Sequence, residues 1–323
     1  MAPYSLRDYG WMIEDRVRME AHIAALRAVV KPGDRVLDIG AGSGVFSLVA
    51  CTLGAREVVA VDPNPVINVA RRTLAANGFG DRVTCVQDLS TEYTPSEPFD
   101  VIVSDMRGVL PLFGHHLHSS VDARDRLLVP GGAMIPTLDR LFAAPVEAPA
   151  EFERIERPWR RNDFGLDLSA AAPFMNSLAL RAHLRPPCLL ARAEPWCELD
   201  YRTLRDYGVK GDVRWAVTRD GVCHGVALWF DAVLCDGIGF SNAPQDVSGR
   251  VYGQLFLPLT TPVVVEAGDT VTAGLTGVHA NGTYVWRWSG EVVGRDRRLR
   301  TRFDHTDLAA QAYGVPFSYG LST

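Results

Sequence analysis

The sequence predicts an α/β Rossmann-like domain followed by a mainly β barrel or sandwich domain. Three observations carry this. Through residues 31–142, short apolar runs alternate with segments of helical period. A glycine-rich loop, Gly40-Ala41-Gly42-Ser43-Gly44, joins the first apolar run to a helical one. From residue 176 onward the texture changes to short runs rich in Val, Leu, Trp and Phe, broken by Gly, Asn, Asp and Pro.

In chain order, Met12, Ile13, Val17, Ile23, Leu26 and Val29 lie at helical spacing, so residues 11–30 read as one helix. Lys31-Pro32-Gly33-Asp34 ends it. Val36–Ile39 is a buried strand, and 45–53 a helix that stops at Gly54. Glu57–Asp62 is a second strand, and 64–77 a helix closed by Gly78. Val83–Gln87 and Phe99–Asp105 are the third and fourth strands. Residues 124–128 close another helix before a Pro130-Gly131-Gly132 turn, and Ala133 begins a fifth strand. Such alternation implies a parallel sheet that binds ligands outside the carboxyl ends of its strands. Asp38, Asp62, Asp88 and Asp105 all fall at those ends.

A hydrophobic fraction of 47% with 22% charged residues describes a soluble globular chain, and 323 residues suffice for two domains. A net charge of −5 disfavours nucleic acid as a partner. No apolar run approaches the roughly 20 residues that span a bilayer, so no membrane is expected. The N-terminus lacks a signal-peptide core. Six cysteines without CxxC pairs suit a reducing cytoplasm, with Cys51, Cys85 and Cys223 as buried thiols. No metal site is expected: His115, His116 and His118 are close in sequence, but no second ligand cluster accompanies them.

The glycine spacing is G-x-G-x-G rather than G-x-G-x-x-G, which argues against a dinucleotide. An acid lies about 20 residues on, where ribose hydroxyls are bound. With "VLDIGAGSG", "VVAVDPNP", "FDVIVSD" and "LLVPGGAMIP", the chain resembles the class I S-adenosylmethionine (SAM) methyltransferases. The resemblance implies SAM as cofactor. Asp38 and Gly40, Gly42 and Gly44 would contact its methionine part, Asp62 its ribose, and Asp88 the adenine region.

The resemblance extends further. "DYGWMIEDRVRMEAH" is similar to the N-terminal helix of the protein arginine methyltransferases, "GVALWFDAVL" and "VYGQLFLPL" to their barrel strands, and "WRRNDFGLDLSAAAPFMNS" to the stretch that introduces their dimerisation arm. It implies that Arg18 pairs with the SAM carboxylate, that Met12 packs near the sulfonium, and that the protein is a homodimer. The organisation is then a helical segment 1–30, a SAM-binding domain 31–142 and a barrel-like domain 143–323 with its arm near 158–180.

The departures lie where the acceptor binds. Members of that family resemble one another in a loop with two glutamates. Here Asp105 stands at the first position and Gly114 at the second, while Arg107 adds a cation. The family's Thr-His-Trp loop reads Arg250-Val251-Tyr252. Asp105, His115, His116 and His118 are candidate bases for an acceptor that must lose a proton. Arg107 either steers an acidic acceptor or forms an ion pair with Asp105. The leading expectation is O- or N-methylation of a small molecule or peptide, in bacterial specialised metabolism, for which the excess of arginine over lysine is a compositional hint. The alternatives are a guanidino acceptor, as free arginine or protein, with Asp105 acting alone, and a non-catalytic SAM-binding partner protein.

Overall fold

A computed structural model describes residues 4–171, 174, 176–244, 251–308 and 310. Two helices open the chain, α1 (Leu6–Glu14) and α2 (Arg16–Val29). The single helix expected over 11–30 is thus broken at Asp15. The side chain of Asp15 accepts a hydrogen bond from the Arg18 backbone N–H and so caps α2. Its other oxygen accepts from the Val251 backbone N–H, which ties the break to a distant loop.

Five parallel strands follow: β1 (Arg35–Ile39), β2 (Glu57–Val61), β3 (Val83–Val86), β4 (Phe99–Ser104) and β5 (Leu128–Ile135), in the order β3-β2-β1-β4-β5. Helices α3 (Val45–Thr52), α4 (Ile67–Ala76) and α5 (His116–Asp122) connect them. The chain order reverses beside β1, between β2 and β4, and a ligand crevice belongs at such a switch point. Two details differ from expectation. After α5 the chain makes one π turn, Ala123–Leu127, and runs straight into β5. Pro130-Gly131-Gly132 lies inside that strand, where the pairing with β4 shifts register and absorbs the extra residues.

The remainder is antiparallel. Strand β6 (Leu138–Val146) leads to α6 (Pro149–Arg160), then β7 (Leu180–Ala182), β8 (Glu194–Asp200), β9 (Val209–Ala216), β10 (Gly221–Cys235) and β11 (Ile238–Ser241). Last come β12 (Gln254–Val265), β13 (Thr270–Ala280), β14 (Thr283–Val293) and β15 (Leu299–Thr306). One sheet runs β7-β12-β10-β6-β8, with β11 on β10, and another runs β15-β14-β13-β9. Alternate residues of β13 are buried, as expected for a sheet with one face on a core. Trp215 and Trp288 fill the space between the sheets, and their indole N–H groups donate to the carbonyls of Ala143 and Pro258.

One apolar cluster runs from Met19 and Leu26 of α2, through Val36 and Val101 of the parallel sheet, to Leu141 and Trp288 of the antiparallel part. The two halves therefore share a core. Among the described residues no helix is long and apolar enough to cross a membrane. All six cysteines are free; Cys51 and Cys223 are buried, and Cys85 is half-buried.

Candidate active site

A cavity of about 780 Å³ opens at the carboxyl ends of β1, β2 and β4. Met12, Arg18, Gly40, Gly42, Asp62 and Asp88 line one part of it, and Asp105, Arg107, Gly114, His115, His116 and Tyr252 another. The tight turn after β1 places bare backbone at the wall. A Cβ on Gly42 would sit 2.4 Å from the Tyr9 ring, and its φ is +54°, so only glycine fits there. Asp62, at the tip of β2, accepts from the Gly42 and Asn64 N–H groups, which fixes its carboxylate at the cavity edge.

Two residues expected at the cofactor stand back from the cavity. Asp38 is 1% exposed and is not part of the lining; its Oδ2 accepts from the Ser47 N–H and hydroxyl, so it anchors the start of α3. Burial pushes its carboxyl up to about 7. Gly44 packs against Ala70 of α4, where a Cβ would come within 2.8 Å.

Around Asp105 the structure builds a buried ionic chain. Arg18 Nε donates to Asp105 Oδ2 at 2.5 Å, and Arg107 Nη1 to Oδ1 at 2.9 Å. The Tyr252 hydroxyl lies 2.9 and 2.8 Å from the two oxygens. Arg107 also grips Asp139 of β6 through Nε and Nη2, at 3.1 and 2.9 Å. Asp139 in turn accepts from the Tyr201 hydroxyl at 2.6 Å, and Tyr201 meets His116 Nε2 at 2.8 Å. Phe230 and Phe240 face the Arg107 guanidinium, 5.5 and 5.8 Å from its carbon.

These contacts correct three expectations. Arg107 is fully held between two carboxylates, so it is not a free cation steering an acidic acceptor. Burial alone would raise the Asp105 carboxyl, but the two guanidinia and the Tyr252 hydroxyl outweigh it and hold it well below the usual carboxylate range. It is a permanent anion and a poor base. Burial, reinforced by Arg107, pushes His116 down to about 3, so this imidazole stays neutral and cannot hold an abstracted proton. Of the histidines proposed as bases, His115 is exposed and on the cavity wall, and His118 stacks on Tyr207 outside the lining. Gly114 has φ +51° and open space where a side chain would begin, so the backbone there suits glycine and not a glutamate. Arg250 lies outside the described residues.

Several participants were missed in the sequence. Asp139 and Tyr201 come from the antiparallel half and meet Arg107 only through the fold. His22, fully buried, sits one helical turn from Arg18, and its Nε2 is 3.8 Å from Asp105. A histidine at that spacing on the Arg18 face was a readable signal. His279 approaches His115 and His118 from the β13–β14 hairpin and supplies the companion that spacing could not reveal.

Comparison with known proteins places this arrangement. The chain is 31% identical over 283 residues to an arginine N(omega)-methyltransferase of Streptomyces achromogenes subsp. streptozoticus, covering 82% of this chain and 74% of that one. It belongs to the arginine methyltransferase family. A probable histone-arginine methyltransferase CARM1 of Oryza sativa is 32% identical over 285 residues, and the chain spans 53% of its length. The family model of ribosomal protein L11 methyltransferase (PrmA) matches residues 20–134, the SAM-binding region. The fold matches Arabidopsis thaliana protein arginine methyltransferase 10, with a TM-score of 0.81 at 24% identity over 94% of this chain and 97% of that one. It also matches the Trypanosoma brucei PRMT1 enzyme–prozyme complex with AdoHcy, with a TM-score of 0.83 at 21% identity over 92% and 96%. This family member is a SAM-dependent methyltransferase. The glycine turn, the ordered Asp62 carboxylate and Arg18 fit that cofactor.

Proposed function

We propose that the protein methylates a terminal guanidino nitrogen of arginine, free or in a short peptide. The observation that carries this reading is Asp105, a permanently ionised carboxylate on the cavity wall at the first acceptor position of the family. A carboxylate offers about four lone-pair sites; three donors already approach this one and its side chain is 2% exposed, so an acceptor N–H would take the remaining site from the cavity wall. The identity with the Streptomyces enzyme supports it. SAM supplies the methyl group when bound. Arg18 would hold its carboxylate, Asp62 its ribose, and Met12 would pack near its sulfonium. Asp105 would then orient the acceptor, and the released proton would leave to solvent at the wall where His115 is exposed.

Arg107 favours a second reading. It occupies Asp105 Oδ1, and Gly114 supplies no second acid, so the acceptor could be a small molecule with an uncharged oxygen or nitrogen. Incubation with methyl-labelled SAM and free arginine, an arginine peptide, its lysine counterpart or neutral metabolites separates the two. Methylarginine after acid hydrolysis supports the first reading. Label that goes only to neutral metabolites sinks it.

We propose further that the protein forms a homodimer. After α6, Phe164, Leu166, Leu168 and Phe174 are exposed, Phe164 to 81%. Four large apolar side chains in the stretch after α6 suit burial against a second copy, and the family resemblance puts its dimerisation arm at the same place. A cytoplasmic setting fits the free thiols. A role in bacterial specialised metabolism fits the small acceptor.

A further inference from the structure

We propose that His115, His118 and His279 form a binding site for one divalent transition-metal ion of the zinc class, at the edge of the acceptor cavity. The three side chains can each offer one nitrogen, and those atoms lie within 4.8 Å of one another. Imidazoles on one tetrahedral ion, with metal–nitrogen bonds of about 2.0–2.1 Å, place their ring centres roughly 5 Å apart. The observed separations are 5.9, 5.3 and 4.5 Å. Nitrogens on such an ion stand roughly 3.3 Å apart, so side-chain rotations that move each ring by about 1 Å close the set on an ion.

The surroundings favour ligation over ordinary packing. His118 Nδ1 and His279 Nε2 are buried atoms with no hydrogen-bond partner. An imidazole nitrogen left bare inside a protein costs free energy unless something coordinates it. The Gly114 backbone hydrogen-bonds the His279 ring, an outer contact of the kind that fixes the tautomer of a ligating histidine. Tyr207 stacks on His118 with ring centres 3.6 Å apart, and Tyr284 meets His279 edge-on at 5.2 Å. The Tyr284 hydroxyl donates to the Tyr207 carbonyl, which locks this aromatic collar. On the open side is Gly282, where a Cβ would come within 3.1 Å of His115 Nε2. Glycine at the hairpin tip keeps that nitrogen clear.

Three protein ligands leave a fourth position for water or for an oxygen of the acceptor. His115 also lines the main cavity, so that position borders it. The ion would put positive charge beside Gly114, where the family's second glutamate would put negative charge. The site stands on the histidine geometry and does not depend on which acceptor is methylated.

The test uses the full chain without a histidine tag, freed of metal by a chelator and titrated with Co²⁺ and then Zn²⁺. The expected result is one equivalent per chain, with visible ligand-field bands that Zn²⁺ abolishes. His279→Ala and His115→Ala should each weaken Co²⁺ binding by about 100-fold or more, while His183→Ala leaves it unchanged. His115 is exposed, so its variant keeps the test sound if His279→Ala fails to fold. Absence of saturable binding overturns the proposal. So does one-equivalent binding that survives both variants, which would point to a thiol site.

Discussion

Replacing Asp139 with Asn should destabilise the fold far more than an ordinary polar change. Arg107 and Asp139 have side chains with 0% exposure, joined by two hydrogen bonds. Removing the charge strands one of two guanidinia that share Asp105 as their remaining anion. Breaking a buried pair from one side costs about 3–5 kcal/mol, and Asn keeps the shape, so the lower end, about 3 kcal/mol, is expected. At roughly 2 °C per kcal/mol for a chain of this length, the melting midpoint falls by about 6 °C. Tyr201→Phe is the comparison, because it leaves every charge in place and removes only hydroxyl contacts to the same carboxylate and to His116 Nε2, together worth about 2 kcal/mol. Urea unfolding followed by circular dichroism measures both. Asp139 does not line the cavity, so SAM affinity by calorimetry should change less than threefold. If Asp139→Asn costs no more than Tyr201→Phe, Arg107 does not depend on Asp139 and the charge argument fails.

Other changes test other parts. Gly42→Val should lower affinity for SAM and its demethylated product at least tenfold, since its side chain would collide with Tyr9 at φ +54°; unchanged titrations would remove the glycine turn from the cofactor site. Burial pushes His22 down to about 4. Its contribution to stability is full above the unfolded value near 6.5 and is lost as pH falls toward 4, at up to about 1.4 kcal/mol per unit. His22→Gln should lack that slope, and parallel wild-type and variant curves would refute the assignment. Tyr252→Phe should lower kcat roughly tenfold in the methyl-transfer assay, because Asp105 loses the donor that spans both its oxygens; an equal rate would exclude an orienting role. Phe164→Asp with Leu166→Asp should turn a dimer into a monomer by light scattering, and an unaltered mass would free the arm from the interface.

The parallel half of the fold was legible because most of its strands are apolar runs ending in acids, and the glycines at 40–44, 54 and 78 announce boundaries, although Pro130-Gly131-Gly132 falls inside β5. The break at Asp15 was not, since the apolar spacing continues through it and the stop comes from a backbone amide more than 200 residues away, Val251. Asp105 and Gly114 were readable as departures from a pattern. The meaning of Arg107 was not, because its second carboxylate arrives on β6 and no local spacing predicts it. Asp139 sits beside Arg140 in Leu138-Asp139-Arg140-Leu141, and only the fold shows that the acid is buried while its neighbour is exposed. Asp38 and Gly44 show the converse: motif residues next to the cavity can serve the scaffold.

The Asp105–Arg107–Asp139 chain has a consequence for changing the acceptor. Two guanidinia and two carboxylates balance one another across helix α2, the loop after β4 and strand β6. Any single replacement of Arg107 or Asp139 leaves an unpaired charge behind in a buried region. A path to a different substrate therefore passes through coupled substitutions, with Arg107 and Asp139 exchanged together for apolar side chains of matching volume. Libraries that vary one position at a time would discard such variants as unfolded before their chemistry could be seen.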